Sequence, residues 1–198
     1  MLEFVKNTLK LEAEAILSIP LVQAVEEAVG ILARLEGKLF CTGIGKAGYV
    51  ARKASSTFST TGTPSCFLHP GDASHGDIGV VSKRDALMAF SNSGQTREVL
   101  ETIDFCRKFG ISAIVAISSS RNSPMGEICD CTVEIGKVDE ACPLGFTPTC
   151  STTAMVAIAD ALALAAMKAK NFSKEDFALR HHGGYLGIKA RRETTKNP

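Results

Sequence analysis

Five short apolar runs, separated by stretches with helical periodicity, constrain the fold of this chain more than any other feature. Each run is almost continuously hydrophobic, as is typical of parallel strands that are buried on both faces. The runs are residues 39–42, 65–68, 86–90, 113–118 and 131–135. This alternation predicts an α/β domain with a doubly wound, five-stranded parallel sheet and helices on both faces. In such sheets ligands bind beyond the carboxyl ends of the strands.

The segments around these runs predict helices. Apolar positions recur at helical spacing on both sides of Pro20, which predicts two N-terminal helices within residues 1–36. A final long helix is predicted over about residues 151–170, and the basic residues 189–198 are expected to form a solvated tail. A chain of 198 residues with 45% hydrophobic content can bury one full core, so we predict one domain over 1–198.

Composition narrows the possible partners and the cellular compartment. The net charge of +1 creates no field that would recruit nucleic acid or an anionic membrane, so neither is expected as a partner. The seven cysteines are odd in number and lack paired C-x-x-C spacing, which indicates reduced thiols in a cytoplasm. We find no signal peptide, and the longest apolar stretch, 154–167, is interrupted by Asp160 and is shorter than a membrane span. These features predict a cytoplasmic protein.

A run of small polar residues follows the third apolar run directly and predicts a phosphate site. Its members are Ser91, Asn92, Ser93, Gly94, Gln95 and Thr96. Hydroxyls and free backbone N–H groups at the junction of a strand and a helix attract a phosphate dianion. The nearby Glu98 would repel that dianion, so we expect its carboxylate to face another part of the ligand. The combination indicates a phosphorylated small molecule that undergoes chemistry.

The first strand is followed by a glycine-rich loop that has two interpretations. Residues 43–48 match G-x-G-x-x-G, a pattern typical of dinucleotide binding. That interpretation needs an acidic residue about 20 positions later, but residues 63–70 contain no Asp, Glu or Arg, so no nicotinamide or flavin cofactor is predicted. Lys46, next to Gly45, favours an anion or a developing oxyanion instead. Alternatively, the glycines only allow close packing and Lys46 points to solvent.

The loop over residues 69–77 contains two histidines and two aspartates. No metal is predicted, because the spacing matches neither a helical His pair nor a cysteine-containing ligand set. His75 lies between glycine-flanked turns and is a candidate for proton transfer near neutral pH. His69, beside Pro70, is predicted to be a turn residue bonded to backbone, and Asp72 is predicted to cap the following turn.

Two further groups lie in the C-terminal half. Glu140 occupies a loop stiffened by proline and glycine, which leads to Ser151 and Thr152 at the start of the last predicted helix. That helix start offers either a second set of donors to an anion or an ordinary cap without ligand. His181 and His182 precede two glycines. The pair is by default a surface turn, although a terminal segment can also reach another subunit.

Taken together, several of these strings resemble the sugar isomerase (SIS) domain of D-arabinose 5-phosphate isomerases. The strings are residues 42–48, 62–64, 69–77, 91–94, 140–145, 151–153 and 176–179. The resemblance implies a flavodoxin-like SIS fold and an aldose–ketose isomerase that interconverts D-ribulose 5-phosphate and D-arabinose 5-phosphate. It also implies a supply of Kdo for lipopolysaccharide or capsule. No cofactor is implied, because the transferred proton stays on sugar carbons.

The resemblance also implies which residues act. Five positions correspond to active-site positions, and a further set is expected to bind the substrate and its phosphate. The catalytic set is Lys46, His75, Glu98, Glu140 and His181; the binding set is Gly45, Ser91, Asn92, Ser93, Gln95, Thr96, Ser151 and Thr152. Family members commonly continue into a pair of CBS modules, whereas this chain stops at Pro198, so a single-domain form is expected. His182 stands where the family usually has proline.

The isomerase chemistry needs a base for a C–H proton, an acid and base for hydroxyl protons, and a charge partner for an enediolate. We expect His181 or Glu98 to transfer the carbon proton, His75 to handle oxygen protons, and Lys46 with Glu140 to orient or stabilise the intermediate. A homotetramer built as a dimer of dimers, with histidines completing a neighbour's pocket, is expected from the resemblance and from the apolar N-terminal helices. The alternatives are a non-catalytic phosphosugar sensor and an isomerase of another phosphosugar, such as a hexose 6-phosphate.

Overall fold

A computed structural model describes residues 1–181 and 183–194 of the chain. Its centre is one sheet of five parallel strands in the order β2-β1-β3-β4-β5. The strands are β1 (Leu39–Gly43), β2 (Ser65–Phe67), β3 (Ala86–Phe90), β4 (Ala113–Ser118) and β5 (Cys131–Glu134). The predicted strands are confirmed to within one residue at each end. This strand order is that of flavodoxin-like folds, as expected.

Nine helices among the described residues surround the sheet. They are α1 (Leu2–Leu17), α2 (Gln23–Arg34), α3 (Gly45–Thr60), α4 (Pro70–Ala73), α5 (Arg97–Phe109), α6 (Pro124–Ile128), α7 (Cys150–Ala169), α8 (Lys174–Arg180) and α9 (Gly184–Thr194). A short 3₁₀ turn also covers Asp77–Val80. The two helices predicted on either side of Pro20 and the long C-terminal helix are therefore confirmed.

Alternate residues of each strand face opposite sides of the sheet, and this divides the core in two. In β3, Met88 and Phe90 belong to one apolar cluster with residues of α2, α3 and α7. Leu87 and Ala89 face the other cluster, which α5 covers. Helices therefore lie on both faces of the sheet, and the doubly wound α/β prediction is confirmed. The order of strands reverses between β1 and β3, so the chain leaves these neighbours in opposite directions and opens a crevice between them.

The long helix α7 has the predicted length, begins one residue earlier than predicted and is strongly apolar. It has 20 residues and a mean hydropathy of 1.6 in its most apolar window, so by length and composition alone it could cross a membrane. Half of that window is buried, and the helix packs against α1, α2 and α3. Its Asp160 forms an ion pair with Lys53 of α3. These contacts are those of a core helix in a folded domain.

The tail predicted over residues 189–198 is helical in its first part, where Lys189, Arg191, Arg192 and Glu193 are exposed. Residues 189–194 form the last turns of α9, where basic side chains lie close to the carbonyl end of the helix dipole. Lys174 of α8 also pairs with Glu193 of α9 at 3.0 Å. The helix α8 begins with a capping box between Ser173 and Asp176, which lowers the pKa of Asp176 through the hydrogen bonds from Ser173. His182 and residues 195–198 lie outside the described residues.

Candidate functional site at the carboxyl edge of the sheet

Most of the predicted site residues gather at one edge of the molecule. Because all five strands are parallel, the segments that follow them lie along the same edge of the sheet. Gly45 and Lys46 follow β1, His75 follows β2, and the segment 91–96 follows β3. β1 pairs with β3 up to Gly43 opposite Phe90, so the loops after these two strands are direct neighbours.

The loop 91–96 forms a compact turn before α5. Ser91 is buried, and its Oγ lies 2.8 Å from Oγ1 of Thr96 and 3.2 Å from the amide nitrogen of Gly94. Gly94 has a φ of +64°, and a Cβ there would lie 2.3 Å from Oγ of Ser123, so only glycine fits. Thr96 precedes α5 without capping it through its side chain. The N-terminus of this helix thus remains available to an anion.

Three other members of the loop point outward. Asn92, Ser93 and Gln95 are exposed, and the amide of Gln95 donates to Oγ of Ser93 at 3.2 Å. The carbonyl of Asn92 accepts hydrogen bonds from Ser118 and Ser119 at the end of β4, which ties the loop to its other neighbour. The backbone of the loop is therefore fixed on both sides while its exposed polar groups face solvent.

Lys46 is exposed in the first turn of α3, and among the described residues it forms no ion pair. It lines a cavity of about 400 Å³ between α3 and α7, to which Thr152 also contributes. The glycines of this loop serve packing as well, since a Cβ on Gly48 would lie 2.7 Å from the carbonyl oxygen of Gly43. Gly48 therefore allows the close packing that one interpretation of this loop requires. Lys46 stays accessible, as the anion-binding interpretation requires.

Glu98 lies one residue into α5 and is exposed. Within the described part of the chain its carboxylate makes neither a hydrogen bond nor an ion pair; only its carbonyl oxygen is used, by Thr102 at 2.8 Å. Arg97 next to it pairs with Glu101 at 2.7 Å instead. The Glu98 carboxylate is therefore available to a ligand beside the 91–96 loop.

The histidine loop differs from its prediction at one residue. His75 is exposed after β2, as expected, and its amide donates to the carbonyl of Asp72 at 2.9 Å. His69 was predicted to bond to backbone, and this is wrong: its ring makes no backbone hydrogen bond in the described structure. Nδ1 of His69 is buried without a hydrogen-bond partner and lies 3.6 Å from the Asp72 carboxylate. Asp72 therefore faces an imidazole rather than serving as a cap.

Glu140 occupies the N-terminus of α7. Its carboxylate accepts hydrogen bonds from the Thr149 amide at 2.6 Å, from the Ser151 amide at 3.4 Å and from the Ser151 hydroxyl. Burial alone would raise the pKa of Glu140, but the hydrogen bonds from the Ser151 hydroxyl and the amides of residues 149–151 outweigh it and hold this pKa below its usual value. Of the two interpretations left open for this helix start, the structure shows a cap. The Ser151 hydroxyl, predicted to bind the substrate, is buried and donates to Glu140, and its role toward a phosphate stays a prediction.

His181 is the predicted site residue that the fold separates from the others. The helices α3 and α7 run side by side in the same direction, because Lys46 and Lys53 lie beside Thr152 and Asp160. Beyond the far end of α7, Lys170 bonds to Thr63 at 2.8 Å, just before β2 begins. A helix of 20 residues is about 30 Å long, so the two ends of α7 lie at opposite edges of the sheet.

The ring of His181 is held at that far end. It stacks on Phe177 of α8 with 3.8 Å between ring centroids, and Nδ1 lies 3.3 Å from the carbonyl oxygen of Phe177. Arg180, next to it, lies over the ring of Phe172, and Phe172 packs against Gly62 before β2. Within one chain, His181 therefore does not join Lys46, Glu98 and Glu140.

The structure shows no prepared metal centre among residues 1–181 and 183–194: no group of three or more His, Cys, Asp or Glu side chains there could hold an ion. All seven cysteines are free thiols. Burial raises the pKa of the Cys41 and Cys106 thiols to about 12. Cys142, two residues after Glu140, is different, since hydrogen bonds from the Thr147 side chain and from nearby amides lower its pKa to about 6.

Comparison with known proteins agrees with this architecture. An arabinose 5-phosphate isomerase KdsD of Yersinia pestis is 42% identical over 188 residues, which cover 93% of this chain and 56% of the relative. The chain spans about half the length of the curated relatives it matches.

Two solved structures resemble the chain over nearly their whole length. A Bacteroides fragilis protein, provisionally described as a phosphosugar isomerase involved in capsule formation, is 41% identical with a TM-score of 0.90, covering 93% of this chain and 99% of that one. The protein c3406 of E. coli CFT073, in complex with arabinose 5-phosphate, is 37% identical with a TM-score of 0.85, covering 91% and 96%. Residues 32–165 match the model of the SIS domain. The chain therefore belongs to the SIS domain family.

Proposed function

We propose that this protein is an aldose–ketose isomerase that interconverts D-ribulose 5-phosphate and D-arabinose 5-phosphate through an enediolate, without a cofactor. The observation that carries the proposal is the open, hydroxyl-lined turn before α5, with the carboxylate of Glu98 unpaired among the described residues and Lys46 on the neighbouring loop that follows β1. The name of the Yersinia pestis relative and the ligand of the E. coli structure support the choice of substrate. The proposed setting is the cytoplasm, supplying Kdo for lipopolysaccharide or capsule.

The phosphate is proposed to bind the 91–96 loop. The Ser93 hydroxyl and one hydroxyl of the hydrogen-bonded pair Ser91 and Thr96 would donate to it together with the first amides of α5, whose dipole also favours a dianion. Asn92 and Gln95 are exposed at the same turn and add donors at its rim. Phosphate binding far from the reacting carbons contributes energy that positions C1 and C2.

Proton transfer is proposed to start from Glu98, whose carboxylate has no partner among the described residues beside the loop. In the ketose-to-aldose direction a base takes the C1 proton and returns it to C2, while one proton moves from the C1 oxygen to the C2 oxygen. His75 is proposed to carry the oxygen proton. Lys46 is proposed to stabilise the negative charge that develops on the enediolate oxygens. Atoms and charge balance without a redox step, because both protons return to the sugar.

Glu140 is proposed to act through its place in the fold rather than as a base. Its carboxylate already accepts four hydrogen bonds at the start of α7, and their effect on its pKa favours the ionised form. α7 borders the cavity that Lys46 lines, so this negative charge helps to orient the ammonium. Ser151 is proposed to hold Glu140, and Thr152 to line the cavity beside Lys46.

His181 is proposed to serve the site of a neighbouring copy in a homotetramer. It lies at the opposite edge of its own sheet, so it can act only where another subunit brings an open site to it. The outer face of α1 carries exposed apolar side chains, including Leu2, Phe4, Val5 and Leu9, which suit burial between copies. Residues 1–198 are proposed to act as a single domain within this assembly.

The test is a substrate panel in deuterated water. D-Ribulose 5-phosphate and several hexulose 6-phosphates are incubated with the protein, and aldose formation and deuterium at C1 and C2 are followed by NMR. We expect arabinose 5-phosphate from ribulose 5-phosphate, with deuterium gained from solvent. Binding of ribulose 5-phosphate without any exchange would indicate a phosphosugar sensor instead, and faster turnover of a hexulose phosphate would indicate a different isomerase.

The assembly is tested by complementation. Glu98→Gln and His181→Ala variants are purified separately, then mixed under conditions that let subunits exchange. If sites are shared, the mixture should regain activity that neither parent has, because some sites then combine an intact Glu98 with an intact His181 of another copy. Sedimentation should show a tetramer. Unchanged activity on mixing, despite exchange of labelled subunits, would count against shared sites.

A further inference from the structure

A second, smaller pocket lies at the carboxyl edge of the sheet, where β1 and β2 end. Its volume is about 160 Å³, and its lining includes Gly45, Arg52, Phe67 and His69. Tyr49 separates it from the larger cavity beside Lys46, since it lines both. The pocket therefore borders the proposed site, although Arg52 and His69 were not predicted to belong to it.

Arg52 presents unused hydrogen-bond donors at this pocket. Its guanidinium lies 3.9 Å from the centre of the Phe67 ring, and among the described residues it makes no hydrogen bond or ion pair. Stacking on an aromatic face fixes the plane of the guanidinium and leaves its N–H edge free. An unpaired guanidinium of this kind suits an oxygen that carries negative charge.

His69 presents a complementary group. Its Nδ1 is buried, unbonded within the described structure, and 3.6 Å from the carboxylate of Asp72, while a Cβ on Gly71 would lie 3.2 Å from the same nitrogen. His69 lines the pocket, and its Nε2 has no hydrogen-bond partner among the described residues. A carboxylate near Nδ1 favours the tautomer with its proton there, which leaves Nε2 as an acceptor. Asp72 thus positions His69 to accept a hydrogen bond from a hydroxyl.

The distance from the phosphate loop to this pocket matches a short sugar phosphate. Neighbouring strands lie about 4.8 Å apart, and β1 separates β3 from β2. The pocket between the ends of β1 and β2 therefore lies about 5 to 10 Å from the loop that follows β3. A ligand whose phosphate sits in that loop can extend along the edge, past Lys46, and end at Arg52 and His69.

We propose that this pocket binds the C1–C2 end of the sugar phosphate, with Arg52 and His69 as specificity-determining residues. The inference rests on the proposed function and extends it. Arg52 donates to the oxygen that becomes negative in the enediolate, and Nε2 of His69 accepts from the neighbouring hydroxyl. Asp72 is a positioning residue that acts through His69. The 91–96 loop and this pocket then hold the two ends of one substrate.

The experiment compares two probes, ribulose 5-phosphate and inorganic phosphate, by calorimetric titration of full-length variants. Arg52→Met and His69→Gln should each weaken ribulose 5-phosphate binding by about tenfold or more, because a hydrogen bond to a charged or polar ligand oxygen is lost. Inorganic phosphate should bind within about twofold of the wild type. Arg84→Met, before β3 at the opposite edge of the sheet, is the matched control and should change neither.

Two further variants separate positioning from folding. Arg52→Lys keeps the charge without the planar donor edge, so it should bind ribulose 5-phosphate more weakly than the wild type and melt at the same temperature. Asp72→Asn should lower kcat for ribulose 5-phosphate more than it raises KM, and Asp72→Glu should restore part of the loss. If Asp72 had only a structural role, Asp72→Asn would instead lower the melting temperature, and kcat would not fall by more than KM rises.

The outcomes distinguish this inference from the proposed function. Unchanged ribulose 5-phosphate binding in both Arg52→Met and His69→Gln overturns the inference, since the pocket would then not touch the ligand. A parallel loss of inorganic phosphate binding also overturns it, since the pocket would then hold the phosphate itself. Failure of the wild type to isomerise any panel sugar overturns the proposed function alone, because the two-probe comparison needs binding and not turnover.

Discussion

Two helix N-termini face the carboxyl edge of the sheet, and the chain treats them differently. At α5 no side chain caps the helix, and the adjoining turn keeps its exposed polar groups free. At α7 the carboxylate of Glu140 takes the available amides and the Ser151 hydroxyl. Both positions attract negative charge for the same physical reason. One is thus left open for a ligand, and the other is filled by the protein's own anion.

This contrast separates a binding site from a structural cap. The sequence places hydroxyls at both helix starts, and a glutamate near each, so composition alone does not distinguish them. The difference lies in where each glutamate stands in the chain: Glu98 belongs to the first turn of α5 itself, whereas Glu140 lies in a preceding loop that folds back onto the start of α7. A carboxylate that is nine residues upstream of an amide can close on it, and that closure occupies the site.

The largest effect should come from the unpaired glutamate. Glu98→Gln should lower kcat by about 10² to 10⁴, the range for loss of a general base, with the melting temperature unchanged because the carboxylate has no partner in the described structure. Steady-state kinetics with ribulose 5-phosphate measure this. Glu101→Gln on the same helix, whose carboxylate pairs with Arg97 at the surface, is the control and should keep full kcat. Near-normal kcat in Glu98→Gln would remove this residue from proton transfer.

Replacing the capping residue Glu140 should mainly lower the stability of the fold. Glu140→Gln should lower the free energy of unfolding by about 1 to 2 kcal/mol, because hydrogen bonds to a partly exposed charged group are weakened. Urea denaturation measures the change, with Asp139→Asn, an exposed neighbour, as the control. Equal stability of the two variants would contradict the role of Glu140 as a cap.

The same contribution should depend on pH with a definite sign. The folded pKa of Glu140 lies below its unfolded value, so its stabilisation is fully present above the usual glutamate pKa of about 4.3 and is lost as the pH falls through the folded pKa. The stability difference between wild type and Glu140→Gln should therefore be constant near neutrality and shrink in acid. A difference that grows in acid would mean that the carboxylate is destabilising when ionised.

The two serines should separate binding from capping. Ser91→Ala should weaken inorganic phosphate binding by about tenfold, since one hydroxyl donor of the open turn is lost. Ser151→Ala should leave phosphate affinity unchanged and lower stability instead, because its hydroxyl is already bonded to Glu140. Calorimetry and thermal melting on the same samples test both. A phosphate affinity lowered by Ser151→Ala alone would place the ligand at α7 and reverse the comparison.

The smallest effect is expected at Cys142, which reports on the Glu140 loop. Its thiol pKa of about 6 rests on hydrogen bonds from Thr147 and the amides of residues 144, 146 and 147. Iodoacetamide should therefore label Cys142 ahead of the buried thiols at pH 7, with a rate that rises through about pH 6. In Glu140→Gln the loosened loop should move this rise to higher pH. Mass spectrometry locates the label, and Cys142→Ser is the control.

Much of the site could be predicted locally, because its residues belong to short segments directly after strands. Ser91, Thr96, Lys46 and Glu98 were predicted from their place after an apolar run, and parallel strands necessarily bring such segments to one edge. The surroundings of His69 were not predicted because Arg52, which lines the same pocket, comes from α3, on the far side of β2 in the chain. His181 could not be placed from sequence, since its position depends on how α8 folds back beyond α7.

Local patterns in the amino-acid sequence were sufficient to predict the parallel sheet of this protein and the helices on its two faces. Continuous apolar runs form strands only when both faces are covered, and helical periodicity supplies the cover. Three outcomes required the folded chain: which helix start stays open, which imidazole faces a pocket, and which predicted site residue lies at the wrong edge. They depend on tertiary contacts, over eleven residues for Glu140 with Ser151 and over 107 residues for Lys170 with Thr63. Such contacts follow from the path of the folded backbone, which local patterns do not encode.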